Sequence, residues 1–194
     1  MEQGFLVEIA GSHGVGKTTL AKQLQEFYEL DGEMAHSFLG GEVAREVKDE
    51  GITINEEGNE LSQCIIFSGI LRRLLHGLYY WNSTWMTFSD RSLICPTAYS
   101  KVLGIRSFIL NEQLEMVNIF YNKVKQNGIL FYLPIEFSIE DDKVRSTAID
   151  FQRRVDEAIV SIFKEFNIPH YTLTGDVEKR LHNAVDAINE MRKV

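Results

Sequence analysis

The stretch that decides the fold is Gly11-Ser12-His13-Gly14-Val15-Gly16-Lys17-Thr18. It follows an apolar run from Phe5 to Ala10, which predicts a buried strand, and it precedes apolar residues at helical spacing. The stretch matches G-x-x-x-x-G-K-[ST] at every fixed position, in the strand, glycine loop and helix context that the motif requires. Glycines let successive backbone N–H groups face one anion, and the helix N-terminus adds partial positive charge. The stretch therefore predicts a phosphate-binding loop.

Two side chains of this loop indicate a nucleoside triphosphate with its metal ion. Lys17 is expected to reach the β- and γ-phosphates, and the Thr18 hydroxyl is expected to ligate Mg²⁺. We therefore predict ATP and Mg²⁺ as cofactors. Near the C-terminus, the turn Gly175-Asp176, with Arg180 one helical turn further on, is placed to flank a nucleotide base. The predicted ATP-binding residues are Gly11, Ser12, His13, Gly14, Val15, Gly16, Lys17, Thr18, Thr19, Arg145, Gly175 and Asp176.

Composition and charge narrow the class of protein. The 194 residues are the size of one domain, and 44% hydrophobic residues are enough for a single core. Twenty basic and 28 acidic residues give a net charge of −8, which argues against nucleic acid or anionic lipid as a partner. Two distant cysteines, no long apolar run and no leader favour a cytoplasmic protein without a membrane segment. A homodimer stays open.

Acidic residues follow two further predicted strands. Glu42 comes shortly after the strand candidate at residues 35–39, and Asp90 ends the strand candidate at residues 84–89. The carboxyl ends of parallel strands form the edge where ligands bind, so both side chains are expected at the site. Asp90 is predicted to anchor Mg²⁺, and the base that accepts a hydroxyl proton is either Glu42 or Asp90.

Arginines near the same edge are candidates for contacts with anionic groups. Arg45 shares a helix face with Glu42, and Arg72 lies on a long apolar helix predicted from about Glu60 to Tyr80. Arg91 suits a bidentate grip on a phosphate or carboxylate. These residues predict the acceptor side of a cleft.

A short charged segment, Glu140 to Arg145, is predicted to close over the γ-phosphate as a lid. The lid is placed at about residues 138–154. It includes Arg153 and Arg154, which flank the buried stripe of the helix that follows. Arginines in such a lid stabilise the charge of the phosphoryl group in transfer.

Three motifs resemble one branch of the P-loop nucleoside and nucleotide kinases, which contains thymidylate kinase-like proteins and the kinase domain of bifunctional nicotinamide-nucleotide regulators. They are Glu42-x-x-Arg45, the strand end Phe88-Ser89-Asp90-Arg91-Ser92 with Tyr99 seven residues later, and Asp141-Asp142-Lys143-Val144-Arg145, which is similar to a D-D-G-x-R lid. The resemblance is to an AAA-type P-loop kinase family. It implies a three-layer α/β sandwich with five parallel strands in the order 2-3-1-4-5, helices on both faces and one kinase domain over residues 1–194.

The resemblance and the residues together give a set of expected roles. Catalytic roles are assigned to Lys17, Asp90, Glu42 and Arg145, metal contacts to Thr18 and Asp90, and substrate contacts to Glu42, Arg45, Arg72, Arg91, Tyr99, Arg153 and Arg154. The chain has Gly40-Gly41-Glu42 where thymidylate kinases carry R-E-P, so the resemblance does not specify the acceptor.

Four functions fit these expectations. The candidate acceptor arginines favour an ATP- and Mg²⁺-dependent kinase of a (deoxy)nucleoside monophosphate. A kinase of nucleosides or nicotinamide riboside is an alternative that needs a general base and no grip on an acceptor phosphate. A 5′-polynucleotide kinase fits the chemistry but conflicts with the net charge of −8. An ATP-binding switch or assembly ATPase is the alternative from another class.

Overall fold

The computed structural model describes residues 4–32, 34–38, 40–79, 85–124, 127–136 and 146–193, with the backbone alone for residues 34, 36–38, 40–42, 45 and 146–148. The strands are β1 (Phe5–Ala10), β2 (Met34–Phe38), β3 (Trp85–Ser89), β4 (Gly128–Tyr132) and β5 (Tyr171–Thr172). The helices are α1 (Lys17–Leu30), α2 (Gly40–Asp49), α3 (Glu60–Tyr79), α4 (Ile94–Val102), α5 (Ser107–Ile119), α6 (Ser146–Glu165) and α7 (Val177–Arg192). A 3-10 turn covers Asn55–Glu57, and a π-helix over Phe120–Val124 follows α5 directly.

The strands form one parallel sheet in the order β2-β3-β1-β4-β5. β1 is central: it pairs with β3 from Phe5↔Met86 to Glu8↔Ser89, and with β4 from Leu6↔Gly128 to Ala10↔Tyr132. Because all pairs are parallel, the loops that follow β1, β3 and β4 emerge side by side at one edge.

Side chains of β1 alternate between two hydrophobic layers. Phe5, Val7 and Ile9 pack with residues of α1 and α7 on one face of the sheet. Leu6 and Ala10 pack with residues of α2 to α6 on the other face. The predicted α/β class, with a parallel sheet covered on both faces, is confirmed. Among the described helices none is long and apolar enough to cross a membrane.

The predicted lid at residues 138–154 falls only partly on the described chain. Residues 137–145, which include Arg145, lie outside the described residues. The remainder, residues 146–154, forms the first turns of α6. Phe151 and Val155 are buried in the core there, and this burial holds the segment as a packed helix.

The pairing of β1 with β4 predicts an unequal response to two glycine substitutions. Gly128 has φ of 142°, and a Cβ at this position would lie 2.0 Å from the carbonyl oxygen of Leu6. Gly104 has φ of 66°, and a Cβ there would meet no atom within 4 Å. We expect Gly104→Ala to cost about 1 kcal/mol from backbone strain, and Gly128→Ala to cost roughly 3 kcal/mol or more from strain plus the clash. Urea unfolding measures both, and equal losses would contradict this account of the β1–β4 contact.

Candidate active site

The predicted phosphate-binding loop connects β1 to α1. Gly11, Gly14 and Gly16 adopt φ values of 152°, 78° and 93°, which favour glycine. A side chain at Gly11 would lie with its Cβ 2.7 Å from the carbonyl oxygen of Leu133, so this position also needs glycine for space. No described side chain caps the start of α1 at Lys17, which leaves its first N–H groups for an anion.

Lys17 lies inside this loop. Its side chain is only 7% exposed, and its Nζ donates to the carbonyl oxygen of Ser12. Burial, together with the positive charge of Arg91, lowers the pKa of Lys17 to about 8. The folded protein therefore holds a partly desolvated ammonium group where phosphate oxygens would bind.

Thr18 and Asp90 meet across the edge of the sheet. Thr18 Oγ1 donates to Asp90 Oδ2 at 2.5 Å, and Asp90 is 2% exposed. A hydroxyl and a carboxylate supply the oxygen ligands that Mg²⁺ prefers, and Mg²⁺ usually keeps several waters beside one or two protein ligands. The pair fits this ion. Within the described residues no group of three or more His, Cys, Asp or Glu could hold a metal.

One cavity brings six of the twelve predicted ATP-binding residues together with Asp90 and Arg91. It has a volume of 310 Å³ and is lined by His13, Gly14, Gly16, Lys17, Thr18, Thr19, Asp90 and Arg91. Arg91, predicted to contact the acceptor, therefore lies in the same space as the phosphate-binding loop.

Tyr99, another predicted substrate contact, lies beside this cavity on α4. It is buried, and its Oη is 3.0 Å from Nδ1 of His13. Burial raises the pKa of Tyr99, while the positive charge of Arg91 acts against that rise. Tyr99 is therefore a hydroxyl at neutral pH, and it links α4 to the loop through His13.

Two helices from the C-terminal half clamp the loop through its carbonyl oxygens. Gln152 of α6 donates from Nε2 to the His13 oxygen at 2.6 Å. Arg180 of α7 donates from Nη1 to the Val15 oxygen at 2.8 Å, and its Nη2 pairs with Glu136 Oε2 at 2.6 Å. The hydrogen bond from Arg180 lowers the pKa of the Glu136 carboxyl. The shape of the loop thus depends on residues more than 130 positions away along the chain.

Sequence reasoning missed Gln152 and Glu136. Glu136 follows β4 much as Asp90 follows β3, so its position just beyond a strand was a usable signal. Gln152 carried no such signal, because a buried glutamine inside an apolar helical stripe has no motif of its own.

Three arginines that were predicted to contact the substrate lie away from this cavity. Arg72 lines a separate cavity of 320 Å³ between α2 and α3, and no described residue lines both cavities. Arg153 pairs with Asp150 on the exposed face of α6, and Arg154 donates to the carbonyl oxygen of Val102 at 3.0 Å. None of these three arginines lines the cavity at the loop.

The turn Gly175-Asp176, which was predicted to flank a nucleotide base, makes hydrogen bonds within the protein. The Gly175 N–H donates to both carboxylate oxygens of Glu136, at 2.9 and 2.8 Å. The Asp176 carboxylate caps α7 by accepting from the Lys179 N–H at 2.9 Å. Glu42 and Arg45 are backbone positions in α2, and their side chains, like residue Arg145, lie outside the described part of the chain.

A parallel sheet, a glycine loop at the start of a helix, and a lysine, threonine and aspartate around one cavity define a P-loop phosphate-binding protein. Comparison with known proteins agrees with this class. A family model described as an AAA domain matches residues 6–180. The chain belongs to this family. A search of curated protein sequences finds no match.

Solved structures share the fold. "NadR protein in complex with NR" superposes with a TM-score of 0.72 at 17% identity, over 98% of this chain and 52% of that chain. A second NadR structure, with NAD and AMP-PNP, gives 0.67 at 20% identity, over 98% and 50%. Deoxyadenosine kinase from M. mycoides, with dCMP and dCDP, gives 0.62 at 14% identity, over 96% and 100%. The chain thus spans about half the length of the NadR chains. The predicted resemblance is confirmed: the family model gives an AAA domain, and the likeness to these solved structures is one of fold.

The Arg180 clamp predicts a coupled loss of stability and anion binding. Arg180→Ala removes the donor to Val15 and the cation paired with Glu136, which keeps only the Gly175 N–H, so we expect a loss of about 2 kcal/mol of unfolding free energy. ATP affinity should fall roughly tenfold, because one charged hydrogen bond to the loop is lost. Thermal unfolding and calorimetric titration measure both quantities.

Lys179→Ala, an exposed neighbour, is the control and should change stability by less than about 0.5 kcal/mol. An Arg180 variant with full stability and affinity would contradict the clamp.

The lowered pKa of Lys17 predicts a pH dependence of ATP binding. Below pH 8 the ammonium is charged in the free protein, and above pH 8 it loses its proton. Bound phosphates favour the charged form, so binding near pH 8.5 should take up part of a proton, and affinity should fall as pH rises further. Calorimetry in two buffers of different ionisation enthalpy measures this uptake. Lys17→Arg, charged at every accessible pH, should show none. A binding enthalpy independent of buffer in the parent protein would refute the assignment.

Proposed function

We propose that this chain is an ATP- and Mg²⁺-dependent phosphotransferase whose acceptor is a small nucleoside-type molecule. The observation that carries the proposal is the hydrogen bond between Thr18 and Asp90 inside the cavity of the phosphate-binding loop. A loop built only to bind phosphate needs no buried carboxylate beside its threonine, whereas phosphoryl transfer uses one to anchor the metal or to receive a proton. Residues 1–194 act as one kinase domain in this proposal, with Arg145 in its lid.

Each residue of the cavity has a role in this chemistry. Lys17 and the loop N–H groups hold the donor phosphates, and Thr18 and Asp90 would hold Mg²⁺, which neutralises charge on those phosphates when bound. Asp90 is also placed to accept the proton that an acceptor hydroxyl loses. Arg91 lines the cavity, where its charge would act on the anionic group in transfer or on the acceptor. Positioning and charge neutralisation supply most of the rate.

The acceptor is proposed to be a nucleoside. The preference for a monophosphate acceptor rested on three arginines, Arg45, Arg72 and Arg91, and Arg72 lies in a different cavity. The structures that share the fold include a deoxyadenosine kinase and a protein in complex with NR, which supports a nucleoside-type acceptor. A nucleoside monophosphate is the second candidate, because Arg91 supplies one cation that could grip an acceptor phosphate.

The free thiols of Cys64 and Cys95 support a cytoplasmic location for such an enzyme, since reduced cysteines persist there. A homodimer is compatible with the proposal and is read out by sedimentation alongside the assays below.

One assay tests the function. The protein is incubated with γ-labelled ATP and Mg²⁺ against panels of nucleosides (including nicotinamide riboside), nucleoside monophosphates and a 5′-hydroxyl oligonucleotide. Label on a nucleoside supports the proposal, and label only on a monophosphate supports the second candidate. Lys17→Met should abolish transfer, while Lys22→Met, on the exposed side of α1, should not. ATP hydrolysis with no labelled acceptor would replace the kinase by a switch or assembly ATPase.

The position of Asp90 beside Thr18 predicts that neutralising its charge lowers turnover more than it lowers ATP binding. Asp90→Asn keeps the size of the side chain but removes the charge, so kcat should fall by about 100-fold or more, because the charge acts mainly on the transition state. The Kd for ATP without metal should change by less than about threefold. Steady-state kinetics and metal-free titration measure the two quantities. Asp31→Asn, exposed after α1, is the matched control. Parent-like kcat in Asp90→Asn would remove Asp90 from the reaction.

A further inference from the structure

His13 occupies a variable position of the phosphate-binding motif, yet its side chain is held on several sides. Its ring centroid lies 6.3 Å from that of Phe151, in a stacked arrangement, and 6.4 Å from that of Tyr99. Tyr99 and Phe151 are both buried and contact each other edge to face at 5.7 Å. The half-buried imidazole also lines the cavity that contains Lys17 and Asp90. Three packed rings therefore fix the orientation of His13 towards that cavity.

One hydrogen bond occupies Nδ1 of the His13 imidazole. Nδ1 lies 3.0 Å from the Tyr99 hydroxyl oxygen, so this nitrogen is engaged by α4. Because the ring also lines the cavity, Nε2 is the nitrogen left for a ligand there. A Tyr99 hydroxyl that donates to Nδ1 leaves the single N–H of a neutral imidazole on Nε2.

The charges around the ring keep it neutral. Burial lowers the pKa of His13, and the positive charges of Lys17 and Arg91 lower it further, against a smaller opposite effect of Glu56. Tyr99 is a neutral hydroxyl, and α6 presents the neutral Phe151 and Gln152 to His13. Asp156 of the same helix accepts from Tyr132, and its charge acts on Lys17. A third cation beside Lys17 and Arg91 is thus avoided, and the ring offers a neutral donor.

We propose that His13 is a further catalytic residue, whose Nε2–H donates a hydrogen bond to a non-bridging oxygen of the phosphoryl group in transfer. In this proposal Tyr99 is a positioning residue, because its hydroxyl donates to Nδ1 and so fixes the tautomer. The N–H stays on the imidazole throughout, so His13 stabilises charge and transfers no proton. This inference rests on the proposed phosphotransfer. It adds a residue that the motif itself leaves unspecified.

Three substitutions of His13 that differ in side-chain length and in hydrogen-bond donor test the role of Nε2–H. A glutamine amide nitrogen reaches the position of Nε2, an asparagine amide reaches only that of Nδ1, and phenylalanine keeps the ring without a donor. We expect His13→Gln to keep kcat within about fivefold of the parent, and His13→Asn and His13→Phe to lose about 100-fold, with ATP Kd within about threefold in all three. Thermal unfolding checks that each variant is folded. Equal kcat in the Gln and Asn variants, or a parent-like Phe variant, would overturn the inference.

A spectroscopic test separates this inference from the proposed function. Long-range ¹H–¹⁵N NMR at pH 7.5 should show His13 as the neutral Nε2–H tautomer, identified among the five histidines by its loss in His13→Gln. Addition of AMP-PNP and Mg²⁺ should shift Nε2. Tyr99→Phe should mix the tautomers and lower kcat, whereas Tyr171→Phe, on an exposed tyrosine, should do neither.

An Nδ1–H tautomer or an imidazolium would overturn the role of His13 even in an active kinase. Failure to label any acceptor would instead contradict the proposed phosphotransferase function. The NMR spectra would still show whether His13 is the neutral Nε2–H tautomer.

Discussion

The placement of β1 between β3 and β4 is the constraint on which the site depends. The pairing of β1 with β3 brings Thr18 and Asp90, 72 positions apart, to a 2.5 Å hydrogen bond. The pairing with β4 places the Leu133 carbonyl oxygen against Gly11, where only glycine leaves room. A shift of register by one residue would exchange the two faces of β1 and move these groups apart. The phosphate-binding loop is therefore held by the sheet as well as by its own glycines.

The cavity concentrates positive charge in a protein whose net charge is −8. Lys17 and Arg91 both line it, and the positive charge of Arg91 adds to burial in lowering the pKa of Lys17. Arg180, behind the loop, is compensated by Glu136. An anion that enters the cavity relieves the repulsion between Lys17 and Arg91. The folded protein therefore contributes part of the binding free energy by holding these two cations close together. Neutral His13 and Tyr99 add hydrogen-bonding capacity without adding charge.

The predictions from sequence succeeded where function lies in consecutive residues. The loop from Gly11 to Thr18 is such a case, because the backbone of one turn supplies the site. They were weaker for Arg72, since a helix that is apolar on two sides does not reveal which neighbour each face meets. The last residues of the predicted lid, 146–154, belong to α6 for a related reason. Charged residues there lie on the exposed side of a helix whose other side is buried.

Local sequence was enough to predict the class of protein and its phosphate-binding loop. Glycine spacing, a lysine and a hydroxyl residue act through local backbone geometry, which is written in adjacent residues. Only the tertiary structure decided that Gln152 and Arg180 clamp the loop, that Glu136 orients Arg180, and that Tyr99 holds one face of His13. These contacts join residues far apart along the chain, and they exist because strand order and helix packing bring them within hydrogen-bond distance.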